Sequence, residues 1–382
     1  MRRSFISTLV VMLAILTACC PSKSDLQFAV PQPQGPEAPA ASTDIPDATT
    51  PPGLRTLRVM THDSFAISDE VIAAFEEQHN AKVEILEAGD AGVMLSQAIL
   101  SAGNPQADVL YGVDNTFLSR ALAGDIFQPY ASPLLDEIPD HLKLDPQNRA
   151  LPVDYGDVCL NYDKVWFDER GLAPPANLED LSKPEYKGLT VVEDAAASSP
   201  GLAFMLATIG HFGETGGYTW LDYWADLRKS DVLVASDWEN AYWGSFTYGS
   251  GGEGNRPIVV SYASSPPVEV LFAEEPFEEA PTAAVVSAGS CFRQIEFVGI
   301  LIPEDAENRD LAEAWVDFML GTTFQEDIPL NMFVFPANEN AVLPDVFAKY
   351  ATIPKHPAEV DYAAIEANRA AWVEAWTETV LR

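Results

Sequence analysis

The chain has 382 residues, and its 22 Lys and Arg against 57 Asp and Glu leave a formal net charge of −35. With 47% hydrophobic residues it has the apolar content of a folded protein, and its length suits roughly two to three domains. So negative a chain repels phosphate-rich partners at long range, which argues against nucleic acid and anionic headgroups and favours cationic ligands; the plainer reading is that the acidity only serves solubility or suits a salty medium.

At the N-terminus, Met1-Arg2-Arg3 precedes an apolar run from Phe5 to Leu16 that is too short to span a bilayer, so residues 1–18 read as a signal peptide. Leu16-Thr17-Ala18-Cys19 resembles the bacterial lipobox, which makes Cys19 the expected lipidation site; Cys20 is adjacent, and an ordinary cleavage site is the alternative. Residues 19–55 are crowded with Pro, Ala, Ser, Thr and Asp and read as a lipidated, disordered tether. No later run of about 18 apolar residues follows. The expectation is an exported body, lipid-anchored at the outer face of the cell membrane or in the periplasm, touching the membrane through its anchor only. That location permits a disulfide between Cys159 and Cys291; buried thiols, or one reactive thiol, are the other readings.

Leu57 to Met60 reads as a strand, and Val71, Ile72 and Phe75 follow at helical spacing behind a possible Ser68 N-cap. Ala81 to Leu86 alternates as a second strand, Met94, Ala98 and Ile99 mark a helix ending near Gly103, and Asp108 to Tyr111 is a third strand before a helix from Thr116 to Ala123. Strands and helices alternating about every 25 residues predict a parallel α/β sheet. A second α/β region starts with the strand Leu189 to Val192 and an apolar helix from Leu202 to Ile209, and Ile258 to Ser261 is a further strand. Gly249 to Gly254 is a mobile loop and not a phosphate loop, because no Lys-Ser/Thr pair follows. Trp372 and Trp376, four apart, suit the packed face of a terminal helix.

Ligands of open α/β sheets sit at the carboxyl ends of strands. Those positions hold His62-Asp63-Ser64-Phe65, Asp90-Ala91-Gly92 and Asp114-Asn115, so three carboxylates are expected along one sheet edge, as a cation-tolerant wall or as helix N-caps. Ser198-Ser199-Pro200-Gly201 opens a helix, where hydroxyls and free N–H groups make either an anion site or an ordinary cap. His-Glu-x-x-His, G-x-S-x-G and Walker motifs are absent, and the five histidines are scattered without metal-ligand spacing, which lowers the expectation of catalysis.

Met60-Thr61-His62-Asp63-Ser64-Phe65, Val113-Asp114-Asn115, Val153-Asp154-Tyr155-Gly156, Ser198 to Gly201, Asp237-Trp238-Glu239-Asn240-Ala241-Tyr242 and Ser261-Tyr262-Ala263-Ser264-Ser265-Pro266 come in a distinctive order. Together with Ile328-Pro329, Phe335-Pro336 and the stretch from Arg369 to Trp376, this order resembles the thiamine-binding proteins of bacterial ABC transporters, from Leu57 onward. The resemblance implies an α/β type II periplasmic-binding-protein fold: two lobes (residues 56–152 with 286–335, and 153–285 with 336–382), joined by crossing strands near Asp154 to Tyr162 and Arg293 to Leu301. It implies a monomer with no cofactor and no resident metal, delivering thiamine or a thiamine phosphate to a permease.

Trp238 and Tyr262 would be aromatic walls for the thiazolium cation, worth roughly 0.5–2 kcal/mol per good contact. Tyr242, from the same motif as Trp238, and Tyr155, beside Asp154, join the implied set, as does Ser264 from the Tyr262 motif. Asp63, Asp90, Asp114 and Asp154 would be charge or hydrogen-bond partners, with His62 and Ser64 beside them. Ser198, Ser199 and Gly201 would receive the hydroxyl or phosphate. Two departures stand out: His62 where the family commonly has an aromatic, and Phe333 where it can have Trp. A protonated His62 would oppose a cationic ligand; Phe333 keeps the stacking and lacks the N–H donor.

The same fold carries ferric iron, for which His62, Tyr155 and Tyr262 could be imagined as ligands, and polyamines, which suit an Asp-lined cleft. A thiaminase-like enzyme would use Cys159 as nucleophile with Glu296 beside it.

Overall fold

The computed structural model describes residues 54–273 and 278–382. The expected signal peptide, Cys19 and nearly all of the tether lie outside the described residues. The strands, in chain order, are β1 (Arg55–Thr61), β2 (Ala81–Glu87), β3 (Val109–Asp114), β4 (Leu151–Asp163), β5 (Thr190–Glu193), β6 (Leu233–Ala235), β7 (Ile258–Tyr262), β8 (Thr282–Val285), β9 (Phe292–Ile300) and β10 (Phe335–Pro336). They form one sheet in the order β2-β1-β3-β9-β4-β7-β5-β6, with β8 and β10 also pairing to β4.

Both flanks of the sheet are parallel, as the strand–helix alternation predicts: β1 runs parallel to β2 and β3, and β5 to β6 and β7. The centre departs from that expectation. β9 enters antiparallel between β3 and β4, and β4 is antiparallel to β7. Chain order conceals this, because β9 follows β3 only after the whole second α/β region. The 13-residue β4, buried along nearly its whole length, bridges the flanks: Leu151 to Val158 pairs with β9 and Val158 to Tyr162 with β7.

The predicted helices are present. Asp69–His79 follows Ser68, whose side chain makes no capping bond but whose N–H donates to Asp327 at 2.8 Å. Ala91–Leu100 is capped by Asp90 and ends on Ser101, just before the expected Gly103. Ser199–Phe212 is buried through most of its length, as an apolar helix between sheet and neighbours should be. In the terminal helix Tyr362–Val380, Trp376 is fully buried edge-on to Trp224 at 5.5 Å, and Trp372 donates to Glu214 at 2.7 Å. Both tryptophans therefore pack the helix. Cys159 on β4 and Cys291, just before β9, form a disulfide between two fully buried residues, closing a separation of 132 residues.

Candidate functional site

A cavity of about 390 Å³ is lined by residues that follow the parallel strands. His62 to Ala66 come after β1, Asp90 and Ala91 after β2, Ser199 and Pro200 after β5, Trp238 to Trp243 after β6, and Tyr262 ends β7. Gln294 and Glu296 on β9 and the loop from Leu330 to Val334 complete the lining. Two crossovers from each flank thus converge on one space, as strand-end geometry requires.

One wall is aromatic. Trp238 and Tyr242 stack with ring centroids 5.0 Å apart and planes at 19°, an arrangement set by the π-helical turn Asn240–Ser245, which Asp237 caps by accepting from the Asn240 N–H at 2.8 Å. The Trp238 indole N–H donates to Ser261 at 3.0 Å, which fixes the ring. The Tyr262 hydroxyl donates to Gln294 at 3.2 Å. Phe333 reaches the cavity from a left-handed backbone (φ 62°), a conformation that a bulky residue adopts only under constraint. Ser264 supplies part of that constraint by donating to the Phe333 carbonyl at 2.6 Å. Ser264 itself is fully buried and acts on the cavity through Phe333.

Four carboxylates line the space, Asp63, Asp90, Glu239 and Glu296, and no Lys or Arg is among the described lining residues. Asp90 accepts from the Ala91 N–H at 2.6 Å, so its two sequence readings, N-cap and cavity wall, both describe it. Burial nevertheless pushes its carboxyl up to about 6, against the pull of that N–H and of His62. Glu239 is also raised, by burial and then by Asp63 across the cavity. His62 is folded inward over Gly112, where an added Cβ would lie 2.2 Å from its Cδ2, and its Nε2 stands 3.5 Å from Glu296.

Beneath the cavity, Asp114, Glu296 and Asp154 are cross-strand neighbours on β3, β9 and β4. Like charges directly opposite are unfavourable. The Tyr111 hydroxyl lies 2.5 Å from Asp154 and 3.0 Å from Glu296, and burial followed by repulsion from Glu296 pushes Asp154 well above the usual carboxylate range. Asp114, fully buried, accepts from the Thr116 N–H at 2.6 Å, the Thr116 hydroxyl at 2.5 Å and the Ser199 hydroxyl.

Nine of the expected residues therefore meet at the cavity: His62, Asp63, Ser64, Asp90, Ser199, Trp238, Tyr242, Tyr262 and Phe333. Six do not line it. Asp114 and Asp154 lie behind it, because each is a buried residue within a strand and not beyond its end. Tyr155, next along β4, points away and stacks on Phe335 at 5.5 Å, with the Arg293 guanidinium 5.1 Å from its ring. Ser198 stands at the N-cap position, fully buried, but its hydroxyl makes no capping bond, and Gly201 abuts β5, where a Cβ would sit 2.8 Å from the Glu193 carbonyl oxygen. Ser264 acts through Phe333. Gln294, Glu239, Trp243 and Phe272 join the lining unpredicted, and Glu296 belongs to it without any cysteine beside it there. Polar residues two apart in the apolar run Phe292–Ile300 were the available signal for Gln294 and Glu296.

Residues 104–354 match the family model described as bacterial extracellular solute-binding protein. The chain belongs to that family. The thiamine-binding periplasmic protein of Salmonella typhimurium is 28% identical over 333 residues, 85% of this chain and 94% of that protein. A solved structure described as periplasmic thiamin binding protein aligns with a TM-score of 0.73 at 26% identity, over 86% of this chain and 97% of its own. The ferric binding protein from Campylobacter jejuni aligns with a TM-score of 0.66 at 19% identity, over 85% and 99%, and shares the fold alone. This solute-binding protein thus has the two-lobed α/β architecture of type II periplasmic binding proteins. Among its described residues no helix is long and apolar enough to cross a membrane.

The buried acids make the protein's stability depend on pH. Glu193, fully buried with no partner side chain on either oxygen, is pushed well above its usual range by burial and then by Asp90. Folded, the protein keeps protons on Asp90, Asp154 and Glu193 that the unfolded chain releases above about pH 4. The native state then binds more protons than the unfolded one, so stability falls as pH rises, through about 6 for Asp90 and further for the deeper pair. Asp145, held low by Arg149 despite its burial, acts oppositely only in more acid solution. The melting temperature of the ligand-free protein should drop between pH 5 and pH 8, and Asp90→Asn should flatten the part near 6. A melting temperature that rises over this range contradicts the assignment.

Proposed function

We propose that the protein captures thiamine, or a thiamine phosphate, outside the cytoplasm and delivers it to an ABC permease, as a monomer tethered by a lipidated Cys19. The observation that carries this reading is the stacked Trp238–Tyr242 pair facing a cavity whose charged lining includes four carboxylates and no described Lys or Arg. A flat heteroaromatic cation gains from aromatic faces and from opposing carboxylates at once. Tyr262 and Phe333 add further ring surface, and Asp63, Asp90 and Glu239 provide the charge. Relatives named for thiamine binding agree with it. In this reading residues 56–152 with 286–335 and residues 153–285 with 336–382 are the lobes that close on the ligand, and β4 and β9 are the hinge.

Ferric iron fits less well. Tyr155 lies outside the cavity that holds His62 and Tyr262, and among the described residues no three His, Cys, Asp or Glu side chains are grouped to hold a metal ion. A polyamine would use the carboxylates but leave the ring stack unused. The thiaminase-like reading lacks its nucleophile, because Cys159 is bonded to Cys291. Calorimetric titration with thiamine, spermidine and ferric ion tests the proposal.

A further inference from the structure

Granting that this cavity takes thiamine, we infer that Glu269 is the positioning residue of its aromatic wall: by accepting the Tyr242 hydroxyl it holds the Tyr242–Trp238 stack in the orientation that meets the ligand. Tyr242 is almost fully buried, and its hydroxyl donates to the Glu269 carboxylate. Trp238 stacks on that ring at 5.0 Å, so what fixes the plane of Tyr242 also fixes the face of Trp238. Glu269 itself does not line the thiamine cavity. It lines a neighbouring space of about 560 Å³ that shares Trp243, Val268 and Phe272 with the first, so its carboxylate reaches the ligand only by way of the wall.

One short helix holds the polar ends of both rings. Ser265 and Glu269 are four apart in Ser265–Leu271 and so share a face. Ser265 exchanges a hydrogen bond with Ser261 at 2.9 Å, and Ser261 accepts the Trp238 indole N–H at 3.0 Å. One turn further along, Glu269 takes the Tyr242 hydroxyl. Trp238 and Tyr242 follow β6 whereas this helix follows β7, so the two ties fasten the turn after one strand to the helix after another. Chemistry separates this role from simple packing. A buried hydroxyl that loses its acceptor carries the full cost of its desolvation, whereas replacing both partners by apolar groups of similar shape can be nearly neutral.

The test is calorimetric titration of thiamine into the full chain at pH 8, above the value of about 7 to which burial pushes the Glu269 carboxyl against the pull of the Tyr242 bond. Glu269→Gln keeps an acceptor and should bind within about threefold of the native chain, whereas Glu269→Leu fills the space without one and should bind at least roughly tenfold more weakly. Adding Tyr242→Phe to Glu269→Leu removes the unpaired hydroxyl and should recover part of that loss. Should Glu269→Leu not fold, Glu269→Asp takes its place, since it draws the carboxylate back by one methylene and should also weaken binding. Native affinity in Glu269→Leu or Glu269→Asp, or no recovery in the double variant, overturns this inference and leaves thiamine as ligand. A loss in Glu269→Gln as deep as that in Glu269→Leu assigns the effect to charge and overturns the positioning role. Failure of the native chain to bind thiamine overturns the thiamine reading and this inference with it.

Discussion

Trp238→Ala should weaken thiamine binding by about 2 kcal/mol or more, a loss of at least roughly 30-fold in affinity. The ring contributes a flat apolar face, an attraction between its π-electrons and the thiazolium charge, and the support it gives Tyr242 through their 5.0 Å stack. Removing it therefore takes away one wall and loosens the next. The half-buried Trp238 is tied by one hydrogen bond to Ser261, so the fold should survive and the melting temperature should change little. Trp238→Phe should recover much of the affinity, since it restores a ring without the Ser261 bond. Calorimetry on both variants decides the matter. Native affinity in Trp238→Ala would mean that the ligand does not lie against this wall.

Replacing both Cys159 and Cys291 by Ala should lower the stability of the folded body by about 2–5 kcal/mol. The disulfide closes a separation of 132 residues, and in the chain-entropy account long loops lose most when the link is cut. It joins β4 to the residue before β9, next to the Val158–Phe292 pair, so it also holds the two central antiparallel strands in register. Neither sulfur lines the cavity, so ligand affinity in the double variant should remain near native at a temperature where it is folded. Alkylation of the unreduced native protein should leave both cysteines unlabelled, because both are fully buried and bonded. An unchanged denaturation midpoint in the double variant, or labelling of Cys159 without reductant, would contradict this role.

Much of the site was legible because parallel strands announce their own carboxyl ends. An apolar run that stops at a polar cluster marks the edge where ligands collect, and His62 to Ser64, Asp90, Ser199 and Tyr262 all follow from that rule. What failed were residues one step inside a strand. Asp114 is the last residue of β3 and not the first beyond it, and that single step of register sends its carboxylate behind Ser199. Asp154 and Tyr155 are consecutive on β4, so they face opposite sides: Asp154 shares the side of its lining partner Glu296 but lies beneath it, bonded to Tyr111, and Tyr155 turns to Phe335.

Tertiary placement accounts for the rest. Glu296 and Gln294 reach the cavity because β9 inserts between β3 and β4, a pairing of segments far apart in the chain that has no local signature. Glu239 was read in the Trp238 motif, but its position opposite Asp63 depends on how two crossovers meet. Phe333 was singled out by its ring, whereas the left-handed backbone that aims it, and the Ser264 hydroxyl that holds that backbone, are visible only in three dimensions.

The central claim is that this acidic, aromatic cavity holds thiamine, and calorimetric titration of the purified exported protein tests it most directly. The account predicts saturable one-to-one binding of thiamine, with spermidine and ferric ion producing no comparable signal. Clear binding of spermidine or ferric ion, with none of thiamine or either of its phosphate esters, would contradict it.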